Sequence, residues 1–228
     1  MSCDFFRFPQ TPHIAWLGEG SPRDDKVLTP PEVEALLNGE VLVEEKIDGA
    51  NLGISWGSDQ QLQAQNRGQY LNQPFDGQFS RLTAWFGQHE SKLREHLAEG
   101  LILFGEWCAA KHSLDYPNLP DWFVVFDVYD RAAQKFHSSA RRDALAAAVG
   151  LSTVPAIYRG ETSLKELLVL LQVSPSLYRD GPPEGIVIRQ QSAQWCEARA
   201  KLVRAEFTQS IAEHWRSRAI QWNRVQLF

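Results

Sequence analysis

The chain has 228 residues, 43% of them hydrophobic and 22% charged, with a net charge of −5. That balance fits a globular protein with a sizeable core, and it excludes a disordered chain or a surface coated in basic residues. Three scattered cysteines, Cys3, Cys108 and Cys196, speak against a disulfide framework and a zinc site, and no apolar run approaches the ~18 residues of a membrane span.

Thr29, Pro30 and Glu32 open a helix over Thr29–Asn38 as N-cap, first-turn proline and capping-box acid, with Gly39 as its stop. Val41–Lys46 reads as a strand. Asn51–Trp56 and Leu62–Asn66 read as a hairpin around the turn-rich Gly57-Ser58-Asp59. A long helix is expected over Phe79–Glu99, with Phe79, Leu82, Phe86, Leu93 and Leu97 on one stripe and Gly100 as its end. Leu101–Trp107 and Trp122–Tyr129 are short apolar strands. Helices at Ser139–Val149 and Thr162–Gln172 flank a strand at Val154–Tyr158, and strands Glu184–Gln190 and Trp195–Arg204 follow. A last helix is expected over Thr208–Trp222, its stripe being Ile211, Trp215, Ala219 and Trp222. From residue 189 onward seven Lys/Arg stand against three Glu, so an acidic chain ends in a basic segment able to meet phosphate. Adjacent strands broken by helices at irregular intervals predict an α+β fold with mostly antiparallel sheets. Neither glycine-rich phosphate-loop fingerprint is present.

The segment Glu44-Glu45-Lys46-Ile47-Asp48-Gly49-Ala50-Asn51 carries the most chemistry. A lysine closing an apolar strand before Asp-Gly is either a surface-turn residue or, once partly desolvated, a nucleophile of lowered pKa. Gly49 permits a turn or the close approach of a ligand.

The ordered set Lys46-Ile47-Asp48-Gly49, Arg67, Phe104-Gly105-Glu106, Phe126-Asp127, Glu184-Gly185-Ile186-Val187-Ile188-Arg189 and Lys201 resembles the covalent nucleotidyltransferases. That superfamily comprises ATP-dependent DNA ligases, RNA ligases and mRNA-capping guanylyltransferases. The opening Phe8-Pro9-Gln10-Thr11-Pro12-His13, the Glu44–Asn51 stretch and the ending Ala200–Phe207 are most similar to RNA ligases of the phage nick-sealing branch, over about residues 8–207. The resemblance implies an adenylation domain of antiparallel sheets with flanking helices, the nucleotide lying in the cleft between them. It implies an ATP-dependent RNA ligase that joins 3′-OH to 5′-phosphate ends through lysyl-AMP, in RNA repair, with Mg²⁺ or Mn²⁺.

Residue by residue, the resemblance makes Lys46 the nucleophile, a role closed to arginine because it stays protonated. Lys201 would neutralise the α-phosphate and depress the pKa of Lys46. Glu45, Asp48, Gly49, Asn51, Arg67, Glu106 and Phe126 would bind the nucleotide, Phe126 by stacking on adenine with Phe123 as the fallback. Glu184 and Glu106 would hold the metal. One departure stands out: many members have a second lysine two residues after Lys201, where this chain has Val203, with Arg199 and Arg204 nearby. Cys108, Lys111 and His112, near Glu106, read as packing and surface residues, and His13 has no assigned role.

The whole chain, 1–228, is expected to be one adenylation domain with a C-terminal helix over 208–228. The 21 residues after Phe207 are too few for an appended five-stranded barrel. Holding RNA ends or a nicked duplex would then fall to Arg216, Arg218 and Arg224 or to a partner protein. The alternatives are a DNA-nick ligase, a GTP-using capping-type enzyme and a non-catalytic nucleic-acid-binding subunit. Met1–Gln10 lacks a signal-like pattern and no Asn-x-Ser/Thr acceptor occurs, so the expected setting is the cytoplasm, away from membranes.

Overall fold

Thr29 caps helix α1 (Pro30–Leu36), and the Glu32 carboxylate accepts from the Thr29 N–H at 2.8 Å, closing the capping box. The computed structural model describes residues 5–22, 26–210 and 219–226. After α1 come β1 (Val41–Lys46) and the expected hairpin of β2 (Ala50–Trp56) and β3 (Leu62–Gln65). A 3₁₀ turn at Gly77–Phe79 leads into α2 (Leu82–His96). Gly100, at φ +85°, then turns the chain into β4 (Leu101–Trp107). The order continues with β5 (Phe123–Asp130), β6 (Lys135–His137), α3 (Ser139–Ala148), β7 (Ala156–Gly160), α4 (Leu164–Val173), β8 (Gly185–Gln191), β9 (Trp195–Val203) and α5 (Ala205–Ser210).

The strands form a nine-stranded sheet in the order β3-β2-β4-β5-β6-β9-β8-β1-β7, antiparallel at every pairing. A mixed fold built on antiparallel strands agrees with the sequence. The expectation of separate sheets is corrected: β6, three residues long, joins β5 to β9 and makes them one. So short a strand has no periodicity to detect.

Each half of the sheet packs helices on its outer face. Val41, Val43, Ile186, Ile188, Ala200 and Leu202 meet Leu36 of α1 and Leu167 and Leu171 of α4. On the other half, Leu52, Ile54, Leu103, Phe123 and Val125 lie under Leu82, Trp85, Phe86 and Leu93 of α2. Each of these helix side chains contributes ~1.5–3 kcal/mol by burial. Because side chains alternate along a strand, the residues between them (Glu44, Lys46, Val187, Arg189, Arg199, Lys201) turn to the opposite face, where they line a common cleft.

The expected last helix is also corrected. Helix α5 starts earlier, at Ala205, and residues 219–226 are not helical, while 211–218 lie outside the described residues. Trp222 packs on the α2 core with the Arg81 guanidinium 4.1 Å above its ring. Buried Asn223 donates to the Cys108 carbonyl at 2.8 Å and accepts from the Tyr116 N–H at 3.1 Å. These partners lie along the 108–119 loop, which a non-helical segment follows through bridges at Ala110 and Leu119.

Candidate active site

The inward faces enclose a cleft of about 950 Å³. Pairing of β1 with β8 sets Lys46 opposite Gly185, next to Glu184, and the Lys46 Nζ donates to Glu184 Oε2 at 2.7 Å. Lys201 enters from β9, opposite Val187. Asn51 on β2 and Glu106 on β4 face each other across their own pairing. The turn after Lys46 crosses to β4 at Gly49, where a Cβ would stand 2.7 Å from the Trp107 carbonyl oxygen. Glycine is needed there because another strand's backbone approaches closely. Asp48 pins the same turn: its Oδ2 accepts from the N–H groups of Ser113 (2.7 Å) and Leu114 (3.0 Å), and its own N–H donates to the Tyr116 hydroxyl at 2.9 Å.

Three acids, Glu184, Glu106 and Asp48, gather around Lys46. Burial works to lower the pKa of Lys46, but Glu184, then Glu106 and Asp48, outweigh it and hold the ammonium above the ordinary lysine value. Burial, with Glu184 and Asp48 nearby, pushes the Glu106 carboxyl up to about 7 against the pull of Lys46 and Arg67. Burial also pushes Glu184 up, opposed first by Lys46. The expected depression of Lys46 is thus reversed, because carboxylates rather than Lys201 dominate its surroundings. The carboxylates of buried Glu184 and partly buried Glu106 are hard oxygen donors of the kind that hold Mg²⁺ or Mn²⁺. Among the described residues no three His, Cys, Asp or Glu gather as a metal cage.

Part of the cleft lining is a buried charge network. Arg189 donates through Nε to Glu44, through Nη1 to Asp127 at 2.7 Å, and through Nη2 to the Phe126 carbonyl at 2.8 Å. Arg142 of α3 pairs with Glu44 at 2.7 Å and donates to the same Phe126 carbonyl at 3.0 Å. Arg199 pairs with Asp127 and lies 4.7 Å over the Phe8 ring. Phe126 is thereby gripped at its backbone while its half-buried ring meets Phe8 edge-on at 5.3 Å and borders the cleft.

The sequence profile of the RNA ligase family matches residues 39–203, which span Lys46, Glu106, Glu184 and Lys201. The chain belongs to the RNA ligase family. The fold is similar to that of a Naegleria gruberi RNA ligase mutant solved with ATP and Mn, at 16% identity and a TM-score of 0.62, covering 80% of this chain and 55% of that one. The same Naegleria enzyme with pyrophosphate gives 18% identity and a TM-score of 0.61, over 82% and 55% of the two chains. A further mutant of it, with AMP and Mn, gives 16% and 0.60, over 90% and 64%. This family member therefore spans little more than half the length of those structures. No curated protein sequence matches it.

Of the residues singled out in this RNA ligase family member's sequence, Glu45, Lys46, Gly49, Asn51, Arg67, Glu106, Phe126, Glu184 and Lys201 all border the cleft. Asn51 carries a buried Oδ1 with no hydrogen-bond partner among the described residues, an acceptor suited to a ligand hydroxyl or amine. Arg67 is exposed, at the tip of a turn in which Asn66 Oδ1 accepts from Gly68 and Gln69. Three placements differ from expectation. Asp48 does not border the cleft, its carboxylate being committed to the 113–114 backbone. The Glu45 carboxylate is on the helix side of β1, where it accepts from the Ser176 hydroxyl and from the Leu177 N–H at 2.9 Å. Phe123 is fully buried in the α2 core and is no fallback for stacking. Val203 is buried at the cleft and brings no charge. Arg224 is exposed and away from the cleft, and Arg216 and Arg218 lie outside the described residues.

Sequence reasoning passed over His13, Trp16, Gln78 and His112, all of which border the cleft. His112 shares a 2.7 Å hydrogen bond with Gln78. The backbone of residues 12–14 runs as an added parallel strand beside β9, with Lys201 N–H donating to Pro12 O and Ile14 N–H to Lys201 O, each at 2.8 Å. The family-like opening thus has a plain physical role: it forms a wall.

Proposed function

We propose that this protein is an ATP-dependent RNA ligase that joins 3′-OH to 5′-phosphate ends through a lysyl-AMP intermediate, with the cleft as its adenylation site. The observation that carries the reading is the Lys46–Glu184 contact of 2.7 Å in a cleft that also gathers Glu106, Arg67, Phe126 and Lys201. Adenine would stack on the Phe126 ring, and Arg67 and Lys201 would meet the phosphates. Lys46 Nζ gives up a proton, with Glu184 Oε2 in direct reach to accept it, and its lone pair then attacks the α-phosphorus. The P–N bond forms as the bond to the bridging oxygen breaks, and the electron pair leaves on pyrophosphate. Glu184 and Glu106 would hold a divalent cation, which when bound supplies charge neutralisation to phosphates and carboxylates alike.

Membership of the phage nick-sealing branch and service in RNA repair are part of this reading, supported by the Phe8–His13 and Ala200–Phe207 segments. The test is incubation with α-labelled ATP and Mg²⁺, denaturing electrophoresis, and sealing of a nicked RNA duplex. The expected result is an acid-labile AMP label that Lys46→Arg abolishes. A label that survives this substitution overturns the assignment of the nucleophile, and one acquired from GTP but not ATP overturns the reaction class.

A further inference from the structure

The wall formed by residues 8–22 carries a feature the reading above does not use. It is fixed on both sides at His13, whose N–H donates to Lys26 O and whose carbonyl accepts from Leu28 N–H, while the flanking residues bond Lys201 on β9, all at 2.8 Å. The segment passes the parts of the cleft in order: Phe8 lies against Phe126, His13 lies beside Lys201, and Trp16 comes after it. His13 meets the Trp16 ring edge-on at 5.0 Å and so orients it. The Trp16 indole nitrogen is buried without a hydrogen-bond partner among the described residues, although Trp16 borders a cleft. Indole N–H is a donor only, so the partner it lacks is an acceptor, and leaving such a group buried and unpaired is costly.

Resting on the reading of the cleft as an adenylation site, we propose that the Trp16 N–H hydrogen-bonds the β,γ-phosphate end of ATP, the part that leaves as pyrophosphate. With adenine at Phe126 and the α-phosphate between Lys46 and Lys201, the next wall residue along the same direction meets the rest of the triphosphate. Phosphate oxygens are the acceptors richest in negative charge there, and Val203 offers them nothing. The donor acts while the bond between the α-phosphorus and the bridging oxygen breaks and pyrophosphate departs with the electron pair. It acts equally in the reverse reaction, when a pyrophosphate oxygen attacks the lysyl-AMP and Lys46 Nζ leaves. It has no part once pyrophosphate is gone.

Trp16→Phe keeps the ring and its contact with His13 and removes only the N–H. Calorimetric titration with inorganic pyrophosphate should show about tenfold weaker binding in the variant. The pyrophosphate concentration that half-reverses the isolated lysyl-AMP should rise by a similar factor. Sealing of a chemically pre-adenylated RNA, with no ATP present, should stay within twofold of wild type, and an unchanged melting temperature excludes a folding defect. Equal pyrophosphate binding by both proteins overturns the proposal, and so does a matching loss in the sealing of pre-adenylated RNA, which would assign Trp16 to the RNA. Should wild type itself acquire no AMP label, the adenylation reading fails, while the binding titration still decides whether Trp16 meets pyrophosphate.

Discussion

Glu44→Gln should destabilise the protein more than Arg189→Met, although both remove one member of the same buried network. Glu44, Asp127, Arg142, Arg189 and Arg199 are each at most 10% exposed at the side chain. Three guanidinium groups stand over two buried carboxylates, a net charge of +1 among the buried groups, while Arg142 also pairs with the half-exposed Asp143 at 2.7 Å. Without Arg189 two complete pairs remain, Glu44 with Arg142 and Asp127 with Arg199, so the four hydrogen bonds lost, two of them to carboxylates, leave no buried carboxylate without a cation. Without the Glu44 charge the network holds three cations against one anion, a net +2. Removing one partner of a buried pair in this way costs about 3–5 kcal/mol, a large share of the ~5–15 kcal/mol that holds a domain together. The Glu44→Gln/Arg189→Met double variant returns to a net charge of +1, so its cost should fall short of the sum of the singles by at least ~1 kcal/mol. Urea unfolding followed by tryptophan fluorescence measures all four proteins. An Arg189→Met loss equal to or above that of Glu44→Gln, or strict additivity, would refute the charge-balance reasoning.

His137, on β6, has both ring nitrogens buried without a hydrogen bond among the described residues, and burial, then Arg141, depresses its pKa below the usual 6.5. A depressed histidine contributes stability that is complete above 6.5 and is lost as pH falls through its folded value, because the unfolded chain takes up the proton first. His137→Phe should therefore match wild type or gain up to ~1 kcal/mol at pH 7.5 and flatten the decline between pH 7 and 5, read from urea midpoints at each pH. Gly49→Ala places a methyl group 2.7 Å from the Trp107 carbonyl oxygen and should cost about 1–3 kcal/mol in the same assay. It should also slow AMP labelling by displacing Lys46 from Glu184, so a stable, fully active Gly49→Ala would refute the close-approach argument.

What could be read from sequence was whatever depends on neighbours along the chain. The Thr29-Pro30-x-Glu32 signal places α1 within two residues of its observed ends, and the apolar runs place β1 and β4 at their observed bounds. The motif order located Lys46, Glu106, Glu184 and Lys201 because each sits at or beside the end of a strand that the same reading finds. Roles resting on a partner strand were out of reach. Asp48 looked like a nucleotide ligand because it stands in the Lys-x-Asp-Gly motif, yet what it binds is the backbone of a loop 65 residues away.

The protonation of Lys46 shows where such a reading runs out. A strand-end lysine beside a second lysine, Lys201, reads as a depressed base. Whether it is one depends on which charges the sheet order brings nearest. The β1–β8 pairing delivers Glu184 from 138 residues away, and β4 delivers Glu106 across the turn at Gly49, so Lys46 starts as an ammonium among acids. Such a site cannot gain a nucleophile by lysine–lysine repulsion alone. On the proposed reading of the cleft as an adenylation site, it would first have to lose the hold of those carboxylates, which ties the activation of Lys46 to the cation that Glu184 and Glu106 would hold.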